Sequence, residues 1–128
     1  PPPLVRAVRD VARALDLAVD WLNPGPTSIL QFGLPTGFMD RVQTRRYESL
    51  TVHLAGRTDQ IHLKLYAAAD RWPARLNKHL QDLERLDPTK KELLTAAVWT
   101  QTHDPSTGFR QRQLLPVLTH FNVELADD

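Results

Sequence analysis

Lys64 and Arg71 stand seven residues apart in a stretch, Arg57 to Leu83, whose apolar spacing demands helices. Two full helical turns put both cations on one face. Cations on a rigid helix can meet phosphate oxygens without the ordering of a flexible loop. The competing assignment is a solvated helix face, with Arg71 paired to Asp70, Asp82 or a helix C-terminus. His79 and Asp82 lie three apart and are therefore neighbours on a second helix, where Asp82 can orient the imidazole or bind an amide at the packing interface. Asp59 follows Arg57-Thr58 in the first turn of its helix, where a carboxylate favours the dipole, and a capping role is expected of it.

Other chemistries find little support. His53, His62, His103 and His120 show no HExxH-like spacing, so no metal-ligand set is expected. No Gly-rich phosphate loop, nucleophile elbow or Ser-His-Asp pattern stands out. With no cysteine there is no thiolate nucleophile, no Cys-based zinc site and no disulfide. Trp21, Trp72 and Trp99 fall on three separate segments and read as core or interface anchors rather than a base-stacking platform.

The elements that must position these residues follow from periodicity. Leu4 to Val19 repeats Leu4, Val5, Val8, Val11, Ala12, Leu15 and Val19 at three- and four-residue steps, a helix whose start follows three prolines. Asn23-Pro24-Gly25-Pro26 is a turn, and Thr27 or Ser28 caps a short helix through Ile29, Leu30 and Phe32 that Gly33 ends. Irregular chain is expected through Leu34-Pro35-Thr36-Gly37. Thr44 to Ala55 reads as a hairpin or two edge strands around Glu48-Ser49. After the Lys64 helix, Pro73 breaks the chain, and Leu76, Leu80, Leu83 and Leu86 form the stripe of the next helix. Thr89-Lys90-Lys91-Glu92 is a capping-box sequence opening a helix that carries Leu93, Leu94, Ala97 and Val98 to about Gln101. Asp104-Pro105-Ser106 opens a last helix with Phe109, Leu114, Leu115, Val117, Leu118 and Phe121 on its apolar face, where Pro116 kinks the helix or marks its true start. The acidic tail from Glu124 is expected to fray.

The fold class is therefore α+β and helix-rich, four to five helices beside a small β-hairpin, in a single domain over residues 1–128. Lys plus Arg number 16 against 15 for Asp plus Glu, a formal charge of +1 that offers no global field to nucleic acid or membrane. No run approaches transmembrane length, Pro1 to Asp20 interleave Arg and Asp through the apolar positions unlike a secretory signal, and a cytoplasmic protein is expected.

The wording of the motif goes further. Arg57, Asp59, Lys64, Leu65, Ala68, Arg71, His79, Asp82 and Leu83, in this order after Leu50 to Ala55, resemble the second half of the minimal nucleotidyltransferase-like proteins. These belong to the DNA polymerase β-type superfamily, with its bacterial abortive-infection and toxin–antitoxin relatives. Asp20-Trp21-Leu22-Asn23, Leu34-Pro35-x-Gly37-Phe38 and Thr102-His103-Asp104-Pro105 are similar to wording in the same group, so the resemblance covers most of the chain. It implies transfer of a nucleotidyl group from a nucleoside triphosphate to a protein or RNA acceptor, with Mg as cofactor. Lys64 and Arg71 would bind nucleotide or acceptor, and Asp59, His79 and Asp82 would support them, Asp82 by orienting Lys64 or Arg71.

The same resemblance shows what is missing. The family's Gly-Gly or Gly-Ser turn and Asp-x-Asp metal pair do not occur here, so no catalytic or metal-binding residue is expected in this chain. The opening Pro1-Pro2-Pro3, without an initiator Met, points to a fragment starting after that pair, catalytically silent as it stands. In the family architecture the hairpin sits against the metal-bearing strands, which leaves a sheet edge open to another chain. The alternative reading is a non-catalytic helical module that binds a protein partner, or self-associates, through that edge.

Overall fold

Two alanine pairs set the centre of the fold. Ala68-Ala69 and Ala96-Ala97 are fully buried on two helices that make the most extensive contact in the structure, and side chains this small let helix backbones approach closely. The structure is a computed structural model and describes residues 2–22 and 33–126. It divides into two compact units, Pro1–Leu34 and Pro35–Asp128, each taken by itself below. The architecture is helix-rich with one small antiparallel hairpin, the α+β class expected. Among the described residues no helix is long and apolar enough to cross a membrane.

In the first unit, α1 (Pro3–Leu15) begins on Pro3, a residue suited to the first turn. The apolar repeat predicts a helix to Val19, but α1 stops at Leu15 because Asp16 turns left-handed at φ 54°. The Asp16 and Leu17 amides then both bond back to the Ala12 carbonyl, closing the helix end. The Trp21 indole N–H donates to the Val8 carbonyl at 2.9 Å. The expected turn at Asn23–Pro26 and the short helix after it lie outside the described residues.

The second unit opens with the single turn α2 (Phe38–Arg41), followed by β1 (Gln43–Tyr47) and β2 (Leu50–Leu54). The strands pair antiparallel with Tyr47 opposite Leu50, so Glu48-Ser49 is the two-residue loop that the sequence places there, and Glu48 takes the positive φ of 44°.

Three helices form the core. α3 (Arg57–Arg71) packs on α4 (Lys78–Leu86) and α5 (Lys90–His103), burying Ile61, Leu65, Leu83 and Leu93 to 1 % exposure or less. At α5 both halves of the capping box form: the Thr89 hydroxyl accepts from the Glu92 amide at 3.1 Å and Glu92 accepts from the Thr89 amide at 2.9 Å. Two apolar residues depart from the predicted stripes. Leu76 precedes the helix, which begins after Asn77, and stands 78 % exposed, while Val98 points outward from α5.

The last helix is composite. α6 (Thr107–Phe109), capped by Ser106, runs into a π-helical turn, Arg110–Leu114, and then α7 (Leu115–His120) with Pro116 in its first turn. Proline lacks an N–H and its ring crowds the carbonyl four residues back, so widening the preceding turn accommodates Pro116 without ending the helix. Phe109, Leu114, Val117 and Leu118 are buried as the pattern requires.

Candidate functional site

Helix α3 places Lys64 and Arg71 two turns apart, and α4 brings His79 and Asp82 against the first of them. The Lys64 ammonium donates to Asp82 Oδ2 at 2.8 Å, with His79 Nδ1 at 3.5 Å. Both side chains of the pair are about one-third exposed, so it contributes on the order of 1 kcal/mol or less to stability. What the pair does is geometric: an ammonium on a flexible stem acquires a fixed direction. Asp82 Oδ1 meets Arg85 Nη1 at 3.5 Å, so one carboxylate orients two cations. Hydrogen bonding from Lys64 holds the Asp82 carboxyl below its ordinary pKa, with the charges of Lys64, Arg85 and His79 acting the same way.

His79 is the electrostatic probe of this cluster. Burial pushes its pKa down, the charges of Lys64 and Arg71 push it further, and Asp82 and Asp70 oppose them. Lys64 and Arg71 thus act on one imidazole. Arg71 is exposed and its guanidinium forms no hydrogen bond or ion pair among the described residues; the pairings with Asp70 or Asp82 weighed from the sequence do not form. The cluster therefore holds one directed ammonium, one unpaired guanidinium and a histidine biased toward its neutral form.

Asn77 and Gln113 position the cluster, and neither is marked by the sequence pattern. Asn77 Oδ1 accepts from the Leu80 amide at 3.1 Å, capping α4, while Nδ2 donates to the Ala68 carbonyl of α3 at 2.9 Å. Gln113 Nε2, on the π-helical turn, donates to the carbonyls of Ala69 and Asp70 at 2.9 and 3.2 Å. Three carbonyls in the last turn of α3 are thus occupied by side-chain donors, which fixes the end of the helix that carries Arg71.

Asp59 lies in the first turn of α3 as predicted, but its oxygens cap nothing. They are fully buried and taken by Arg41, whose Nε donates to Oδ2 at 2.9 Å and Nη2 to Oδ1 at 2.6 Å. Arg41 Nη2 also reaches the Thr36 carbonyl, so the guanidinium ties the segment before the hairpin to α3. Gly56, between hairpin and helix, admits no side chain here, since a Cβ would stand 2.9 Å from the Arg41 carbonyl oxygen. Asp59 is therefore apart from the Lys64 cluster. Arg57 likewise pairs elsewhere, with both carboxylate oxygens of Glu92, and this bond with the capping-box contacts holds Glu92 down at about 2.

An aromatic cluster joins α3 to α5. Tyr66 lies 6.4 Å from Trp99, 5.7 Å from His103 and 6.3 Å from Phe109, and the Trp99 ring lies 4.2 Å from that of His103, tilted at 47°. Burial, with Asp70 and Asp104 nearby, pushes the Tyr66 hydroxyl above its ordinary pKa. Trp99 is thus the interface anchor that its sequence position implies.

Among the described residues no three His, Asp or Glu side chains gather as a metal ion requires. Compared with protein-family models, curated proteins and solved structures, the chain matches none.

Proposed function

We propose that this chain is the phosphate-holding, C-terminal portion of a nucleotidyltransferase-like protein. The observation that carries the reading is the Lys64–Asp82 bond at 2.8 Å beside Arg71, whose guanidinium has no partner among the described residues, because it separates one cation that is aimed from one that is not. A nucleoside triphosphate carries several negative charges on adjacent groups, and two cations on one helix can meet them together. Asp82 directs Lys64 without exhausting its donors, since an ammonium has three. A His79 biased toward the neutral imidazole presents a ring nitrogen to the ammonium rather than a third cation.

In this reading the whole protein transfers a nucleotidyl group to a protein or RNA acceptor in the cytoplasm, an activity that uses magnesium. In the family the magnesium site is an Asp-x-Asp pair, which this sequence does not have, and among the described residues no three His, Asp or Glu side chains gather. The part of the Lys64 cluster is confined to holding phosphate. A helical protein-interaction module is the second reading, and the exposure of the hairpin favours it.

Calorimetric titration with ATP and with inorganic triphosphate tests the proposal. Lys64→Met and Arg71→Met are each expected to weaken binding by about tenfold, the effect of one charge-assisted hydrogen bond. Equal affinity of both variants and the parent chain would overturn it.

A further inference from the structure

The two edges of the hairpin are chemically unlike. All of β1 is exposed, as is all of β2 except half-buried Val52, and a two-stranded ribbon in water is marginally stable by itself. The register puts Tyr47, Leu50, Val52 and Leu54 on one face with Gln43 and Arg45, and Thr44, Arg46, Thr51 and His53 on the other. β1 carries adjacent arginines, Arg45 and Arg46, one to each face, and neither forms an ion pair among the described residues. Charges of this kind guard an edge strand. β2, Leu50-Thr51-Val52-His53-Leu54, carries no Lys, Arg, Asp or Glu.

We propose that the open edge of β2 binds a second copy of this chain, antiparallel, about a two-fold axis through Val52. The backbone supports that register. A two-residue loop makes Tyr47 and Leu50 a hydrogen-bonded pair, so Leu50, Val52 and Leu54 spend their amides and carbonyls on β1. Thr51 and His53 turn theirs to the open edge. With Val52 on the axis, Thr51 of one copy meets His53 of the other twice, closing both sets of backbone bonds. Val52 then faces Val52 of the second copy, and each Leu50 faces a Leu54. The result is a four-stranded sheet whose two central strands present one apolar stripe, with Gln43 and Arg45 of each β1 at its margins and no like charges in contact. The same operation on β1 would set Arg45 opposite Arg45 of the second copy, which like-charge repulsion disfavours. This surface is distinct from the Lys64 cluster and stands without it.

The test is the mass of the chain in solution by sedimentation equilibrium over a wide concentration range, with three variants. The parent chain is expected to be dimeric. Val52→Lys places two ammonium groups on the axis, and His53→Pro removes an outward amide while leaving the backbone bonds to β1, at the loss of the His53 Nδ1–Thr44 Oγ1 contact of 3.2 Å; both are expected to be monomeric with unchanged helical circular dichroism. Val52→Cys gives a chain with a single cysteine and is expected to form a disulfide-linked dimer under mild oxidation, faster than Arg45→Cys. A monomeric parent chain would overturn the proposal, as would a dimer that persists in Val52→Lys or that cross-links better through Arg45→Cys.

Discussion

Replacing Asn77 separates two jobs that one side chain performs. It is 6 % exposed, caps α4 through Oδ1 and satisfies the Ala68 carbonyl through Nδ2. Asn77→Ala loses the cap, about 1 kcal/mol, and strands a carbonyl, about 1 to 3 kcal/mol, for an expected loss of about 2 to 4 kcal/mol. Asn77→Ser keeps an acceptor for Leu80 and should lose about 1 to 3 kcal/mol, the carbonyl alone. Asn77→Asp is the decisive variant. As a helix cap Asp equals Asn, so capping alone would make the change neutral. In this site it turns a carboxylate oxygen toward the Ala68 carbonyl, two acceptors with no proton between them, and the loss should reach or exceed that of Asn77→Ala, about 3 kcal/mol. Urea unfolding followed by circular dichroism measures it. With a slope of about 1.5 kcal/mol per molar, the midpoint should fall by about 2 M. An Asn77→Asp midpoint indistinguishable from the parent would refute the bridging role.

Other expectations follow from the same contacts. Glu92 is held at about 2, below its ordinary 4.5, so its bonds to Arg57 and Thr89 stabilise the fold fully above pH 4.5 and fade as pH falls toward 2. Glu92→Gln should flatten that part of an acid-unfolding curve, and an unchanged acid limb would contradict the assignment. In an NMR titration His79 should change charge below the ordinary histidine range; Lys64→Met should raise its midpoint and Asp82→Asn lower it further, and the opposite order would overturn the placement of these charges. Leu83→Ala, at a fully buried site, should cost about 3 kcal/mol in urea unfolding, whereas Leu76→Ala should stay within about 0.5 kcal/mol; equal losses would contradict the placement of Leu76 outside the helix.

What the sequence discloses is what local physics determines. The capping box at Thr89-Glu92 is a rule of spacing, and both bonds form. The hairpin turn at Glu48-Ser49 follows from two short extended runs separated by two residues. The approach of Asp82 to Lys64 follows only from the family resemblance, since spacing alone makes Asp82 the neighbour of His79 on its own helix. Contacts made at a distance leave no such trace. Arg41 lies 18 residues from Asp59, in a single helical turn with no periodicity, so nothing marks it as the partner of a buried carboxylate. Leu76 fits an apolar stripe by number, yet Asn77 starts the helix after it, since capping by a polar side chain outweighs periodicity at a boundary. The π-helical turn answers to Pro116 and to the carbonyls that Gln113 reaches across the fold, 43 and 44 residues back in the chain.

The most direct measurement is a nitrogen-15 NMR titration of the chain with ATP, reading which amides move. If Lys64 and Arg71 hold phosphate beside His79 and Asp82, the shifts should concentrate on residues around 64, 71 and 79–82 and collapse in Lys64→Met. Shifts centred elsewhere, or no saturable shifts at all, would contradict the assignment of this cluster to phosphate.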